Sequence, residues 1–239
     1  MISVALKKLR RRIEISTEEE RVIRASIVEV RCIAADEIAV RAGQPLHSSL
    51  LLLDGWLARC KDLSSGERQV TQLHVAGDFA DLHGFTLKRL DHDLAAISEC
   101  RLAVVPHEAL RDITDRFPRL ARVLWFSTNV DAAIQRELTL SLGQRSAISR
   151  MAHLFCELYA RLEVVGKTDR DGYDFPLTQR ELSECLGLTV VHANRTLQEL
   201  RRRGLIELES RRLTILDRRG LGGIAEFDPS YLYIDGQQL

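Results

Sequence analysis

Apolar residues change their spacing at Pro106, and the change divides the chain into two kinds of structure. From Ile27 to Val105 apolar and polar residues alternate in short runs, broken at Gly43, Gly55, Gly66, Gly77 and Gly84. A period of two buries one face of a strand, and turn signals roughly 8 to 12 residues apart mark an antiparallel sandwich or barrel. LHSSLLLLDGWLARCKD followed by SGERQVTQLHVAGD reads as strand, turn, strand, with Ser65 and Gly66 closing a hairpin. Beyond Pro106, HEALRDITDRFPRLARVLWFSTNVDAAIQRELTLSL repeats at helical spacing. Val123, Ser127, Val130, Ile134, Leu138 and Ser141 fall three or four apart, which predicts one long helix from Pro118 to Leu142 with a narrow apolar seam. A seam of that length suits a second copy of the same helix, so these six residues are the expected dimer interface. The plainer alternative is packing against the chain's own β-domain. Gly143 is expected to interrupt the helix, leaving Gly143 to Ser146 as a hinge before SAISRMAHLFCELYARL starts another.

The stretch from Leu177 to Leu205, LTQRELSECLGLTVVHANRTLQELRRRGL, carries the most specific pattern. Thr178 with Glu181 three residues on is a capping box: the hydroxyl accepts from one free backbone N–H while the carboxylate reaches back to another. A helix therefore starts at Gln179. Gly187 tolerates the left-handed backbone of a tight turn, Thr189 can cap the next helix, and Gly204 ends it after about Arg203. Leu182, Leu186, Leu188 and Leu197, with small Ser183 at the crossing, are what packing two short helices at a steep angle requires. The following LIELESRRLTILD predicts two short strands around Glu209, Ser210 and Arg211, a basic wing beside the second helix.

Charge points the same way. The whole chain balances, with 34 Lys and Arg against 34 Asp and Glu. Residues 1–143 carry 20 of each sign, whereas Arg195 to Arg219 hold eight Arg against four acidic residues, so a polyanion would meet the C-terminal part. Cys32, Cys60, Cys100, Cys156 and Cys185 are scattered and include no C-x-x-C pair, which suggests neither a disulfide framework nor a zinc ribbon. No apolar run approaches the roughly 18 to 20 residues needed to cross a bilayer, and the N-terminus lacks the apolar block of a secretory signal, so the chain reads as cytoplasmic.

LTQRELSECLGLTVVHANRTLQELRRRGLI resembles the helix-turn-helix of the Crp/Fnr superfamily of bacterial regulators. LLLDGWLARC, SSGERQV and the VAGDF of residues 75–79 resemble its cyclic-nucleotide-type β-roll, and the likeness runs from about residue 25 to 217. The resemblance implies an α+β fold with four parts. These are an N-terminal β-roll with flanking helices (1–116), a dimerisation helix (117–143), a winged helix-turn-helix (144–219) and a C-terminal tail (220–239). It implies a sequence-specific DNA-binding transcription regulator acting as a homodimer on double-stranded DNA, with RNA polymerase as a further partner for an activator. Carried over residue by residue, the base-reading positions fall on Val190, Val191 and Arg195, with Thr178, Gln179, Thr189, His192 and Asn194 around them and Arg211 and Arg212 on the wing. Asn194 facing inward between the helices is the alternative at that position.

This sequence departs from the family at both ends. Where well-known members place Arg and Glu, it has Val190 and Val191, and valine offers only apolar contact, for instance to a thymine methyl. In the β-roll, FADLHGFTLKRLDHDLAAIS lacks the Gly-Glu and Arg-Ser or Arg-Thr pairs that hold a cyclic nucleotide, and it places Asp81 and Asp91 where a phosphate wants positive charge. No cysteine precedes Cys32, against an iron-sulfur sensor. His47, His74, His83, His92 and His107, or Cys60 with His74 or His83, are where a haem- or metal-sensing alternative would look, but each lone histidine reads first as an ordinary satisfied side chain. No metal residues and no cofactor are assigned, and the effector is open. A cupin-type metalloenzyme would need H-x-H spacing with a nearby glutamate and a later histidine, which does not occur, and no catalytic constellation stands out, so no enzyme is expected. A stand-alone ligand-binding module that signals through protein contacts would leave the basic wing without a use.

Overall fold

Four consecutive leucines explain how the N-terminal half is layered. In strand β3 (Ser48–Asp54) successive side chains point to opposite faces, and here both faces are covered. Leu50 and Leu52 face a core with Leu57, Leu90, Leu94 and Leu102, while Leu51 and Leu53 pack with Ile2, Ala5, Leu6 and Ala103. The second layer comes from helix α1 (Ser3–Arg10), whose apolar positions recur three and four apart. The computed structural model describes residues 2–11 and 13–234.

The strands form two antiparallel sheets. One has the order β1 (Glu29–Ile33), β7 (Cys100–Pro106), β3; the other has β2 (Ile38–Val40), β6 (Asp93–Ala96), β4 (Leu57–Asp62), β5 (Arg68–His74). The β4–β5 turn closes through Gly66 N–H to the Leu63 carbonyl at 2.9 Å, with Gly66 at φ 89°, where the sequence placed the hairpin. Helix α2 (Thr17–Ala25) precedes the first strand, the short α3 (Gly84–Leu87) interrupts the strands, and α4 (His107–Arg116) follows them.

The long helix, α5 (Pro118–Gln144), runs through Gly143 without a break, contrary to the expected interruption there. A glycine inside a helix costs only about 1 kcal/mol relative to alanine. The interruption falls instead at Arg145 and Ser146, where Ser146 Oγ accepts from Ser149 N–H and caps α6 (Ala147–Val165). After α6 come β8 (Gly172–Asp174), α7 (Gln179–Leu186), α8 (Val190–Arg202), β9 (Ile206–Glu209) and β10 (Arg212–Ile215), the strands pairing in the order β8, β10, β9. Helix α9 (Arg218–Ala225), capped by Asp217, crosses the expected boundary between 219 and 220, and within the expected tail the Phe227 and Tyr231 rings lie against His153 of α6; residues 235–239 lie outside the described residues.

The described residues fall into two compact units: one comprises those within 2–60, 73–133 and 233–234; the other comprises 61–72 and 134–232. No helix among the described residues is long and apolar enough to cross a membrane.

Candidate nucleic-acid interface

Every local signal for the two short helices is realised. Thr178 Oγ1 accepts from Glu181 N–H at 3.2 Å while the Glu181 carboxylate accepts from Thr178 N–H at 2.6 Å. Gly187 ends α7 at φ 59°, and Thr189 Oγ1 accepts from His192 N–H at 3.2 Å to start α8. Removing such a cap would cost about 1 kcal/mol. Ser183 is buried and its hydroxyl donates to the Arg180 carbonyl at 2.7 Å, so it presents little bulk where the helices cross. Leu182, Leu186 and Leu197 are buried and Leu188 half-buried.

Because Ala193, Thr196, Leu197 and Leu200 face inward, α8 turns Val190, Val191, His192 and Arg195 outward. Val191 is 71% exposed and, with the exposed Val190 beside it, puts an apolar pair at the start of α8. Arg195 makes no ion pair among the described residues, and Gln198, which the sequence reading did not single out, continues the same exposed stripe. Asn194 departs from its place among the expected DNA contacts: it is half-buried, with Oδ1 buried and unpartnered, as the inward alternative requires.

The wing is a two-residue hairpin, with Ser210 at φ 49° and Arg211 at φ 60° between the paired Glu209 and Arg212. Both central residues are left-handed, the backbone of the turn that matches strand twist. Arg211 is exposed at its tip. Arg212 is not free as expected: it pairs with Asp169 and lies 3.8 Å from Asp174, carboxylates brought in by β8, which sequence reasoning missed. Glu199 likewise holds Arg202 and Arg203, at 2.8 and 2.7 Å. The local excess of arginine is thus smaller in effect than in count.

A residue with no sequence signal fixes this module to the end of α5. The Arg150 guanidinium donates to the carbonyls of Ser141, Leu142 and Arg145, at 3.0, 3.1 and 3.2 Å, and to that of Leu186. These carbonyls cluster at the C-terminal ends of α5 and α7, where the negative end of each helix dipole favours a cation; that of Ser141 also accepts from Arg145 N–H at 3.3 Å.

The expected dimer seam is already covered by the chain itself. Val123 packs with Ile13 and Ile15; Val130, Ile134 and Ser141 are buried, and Ser127 and Leu138 half-buried. The outward line of α5 is instead Trp125, Asn129, Ala132, Arg136, Thr139 and Gly143, spaced four and three apart, with Trp125 68% exposed. The periodicity was legible but the face was not, because residues such as Ile13 and Ile15, which cover Val123, lie over a hundred positions earlier.

Inside the β-roll, Arg59 is buried and donates to the Ala80 carbonyl at 3.0 and 2.8 Å and to Asp131 of α5 at 2.8 Å. Asp81 Oδ1 accepts from Leu50 N–H at 2.6 Å, Oδ2 has no partner, and burial pushes this carboxyl up to about 7. Lys88 and Arg89 are exposed at the end of α3. No cluster of three or more His, Cys, Asp or Glu among the described residues is arranged to hold a metal ion.

Two family models match the chain: a cyclic nucleotide-binding domain over residues 30–117 and a Crp-like helix-turn-helix domain over 149–224. The chain is 28% identical to the nitrogen fixation regulation protein FixK of Azorhizobium caulinodans, over 74% of this chain and 71% of that protein. It is 24% identical to the anaerobic regulatory protein of Haemophilus influenzae, over 79% of this chain and 73% of that one. Its fold is similar to the solved structure of FixK2 from Bradyrhizobium japonicum, with TM-score 0.72 at 21% identity over 82% of this chain and 96% of the other. Within the stretch that matches the cyclic nucleotide-binding domain, the buried Arg59 guanidinium is engaged by Ala80 and Asp131, and the Asp81 carboxyl is buried.

Proposed function

The chain belongs to the Crp/Fnr family of DNA-binding transcription regulators, and from that premise we propose that it works as a symmetric dimer whose α8 helices read a near-palindromic site. The observation that carries this reading is the outward face of α8, where Val190, Val191, His192 and Arg195 stand beside a capped helix start and an exposed wing tip. Arg195 engages a guanine edge and Val191 a thymine methyl in the major groove. Thr178, Gln179, Thr189 and His192 lie at helix N-termini, where backbone N–H groups attract phosphate, and Arg211 adds a phosphate contact from the wing. Asn194 and Arg212 leave that list, since the first faces inward and the second is held by carboxylates.

The dimer seam of this proposal is the Trp125, Ala132 and Thr139 line of α5, with a second copy as its occupant, since a dimer presents two recognition helices to two half-sites. The protein acts in the cytoplasm, and contact with RNA polymerase follows where it activates. Binding measured at several salt concentrations, on the operator and on scrambled DNA, tests the roles. Arg195→Ala should cost about 1 to 3 kcal/mol on the operator and relax preference at one base pair per half-site. Arg211→Ala should weaken both DNAs alike and flatten the salt dependence. Equal losses on both DNAs for Arg195→Ala would make Arg195 a phosphate clamp, and no loss on either would contradict the placement of the reading face.

A further inference from the structure

His83 and His92 meet head-on in the β-roll. Their Nε2 atoms are 3.2 Å apart and their ring centroids 5.4 Å. His83 is half-exposed at the start of α3, and His92 is buried in the turn before β6. His92 Nδ1 faces the Asp93 carbonyl at 3.3 Å, which places its proton there and leaves a lone pair on Nε2. Between neutral imidazoles the shared proton then sits on His83 Nε2.

We propose that His83 and His92 together form a binding site for one divalent transition-metal ion of the zinc class, the ion taking the place of the proton between the two Nε2 atoms. With metal–nitrogen bonds of about 2.0 to 2.1 Å in a tetrahedron, two ligating nitrogens stand about 3.3 to 3.4 Å apart. The Nε2 atoms are already at nearly that separation, so the rings need only tilt toward a common point while the His83 proton passes to Nδ1. The carbonyl behind His92 is the outer-shell contact that orients a ligating imidazole. The nearby Arg59 charge is offset by Asp131, bonded to it at 2.8 Å. Since no three-residue cluster completes the site among the described residues, water or an incoming donor fills the other positions, which makes the site open and exchangeable rather than structural. Imidazole nitrogen selects zinc, copper and nickel over magnesium and calcium.

The test is a calorimetric titration of tag-free full-length protein with Zn²⁺ at pH 7.4, and it does not depend on DNA binding. Saturable binding with a dissociation constant below about 1 mM is expected, weakened at least about tenfold by His83→Gln or His92→Gln. His47→Gln, an exposed histidine of the same half, should leave it unchanged. Zn²⁺ should also raise the melting temperature of the wild type but of neither paired-histidine variant. If a variant does not fold, ¹⁵N spectra of the wild-type imidazoles decide: displacement of two Nε2 resonances supports the site. Displacement of none or of others, absence of saturable binding, or binding that both variants retain would overturn it.

Discussion

At the scale of single residues, the side chains whose partners are near in sequence were the legible ones. Thr178 with Glu181 and Thr189 with His192 act within one turn, so their caps follow from residue type and spacing. Arg212 could not be read in the same way, because Asp169 lies 43 residues away and only the pairing of β8 with β10 brings it close. Burial also sets a pH dependence. His74 is fully buried with Asp78 Oδ2 3.6 Å from its Nδ1, and burial lowers its pKa to about 4 against the opposing pull of Asp78. His153, beside Phe227 and Tyr231, is lowered to about 4 by burial as well, despite the opposing charge of Glu157. An unfolded histidine titrates near 6.5, so between pH 6.5 and 4 the unfolded chain binds up to two more protons than the folded one at these positions. Their contribution to stability is intact above pH 6.5 and is lost as pH falls toward 4. Melting temperatures across that range should decline, less steeply in His74→Gln provided that variant folds; an equal slope would remove His74 from the account.

At the scale of elements, α5 shows what periodicity settles and what it leaves open. Apolar spacing predicted a helix within two residues of its observed end, yet an amphipathic pattern does not say whether its partner is the same chain or another. Here Ile13 and Ile15 cover part of the seam, and the outward line keeps a three-and-four spacing of its own. The joint after α5 likewise depends on Arg150, whose four carbonyl partners lie on α5, on α7 and at Arg145 between α5 and α6, and have no signature in the sequence around it. A double substitution separates the two faces: Trp125→Glu with Ala132→Glu should give a folded monomer with weak DNA binding, because like charges are placed in the proposed seam. Sedimentation and circular dichroism check this together. A folded double variant that still sediments as a dimer would move the interface elsewhere.

At the scale of the whole molecule, the order of strands, long helix and helix-turn-helix was readable from the change of period at Pro106 and from the double capping after Leu177. The covering of β3 by α1, the third strand of the wing and the network around Arg59 were not, since each depends on contacts distant in sequence. The central claim is that a dimer reads two copies of one half-site through α8. It is tested most directly by sequencing the fragments that the purified full-length protein retains from a random pool of duplex DNA. The account predicts one enriched inverted repeat, with half-site centres about 10 to 10.5 base pairs apart and a guanine in each half that Arg195→Ala no longer selects. Retention without any enriched motif, or enrichment of a single half-site alone, would contradict it.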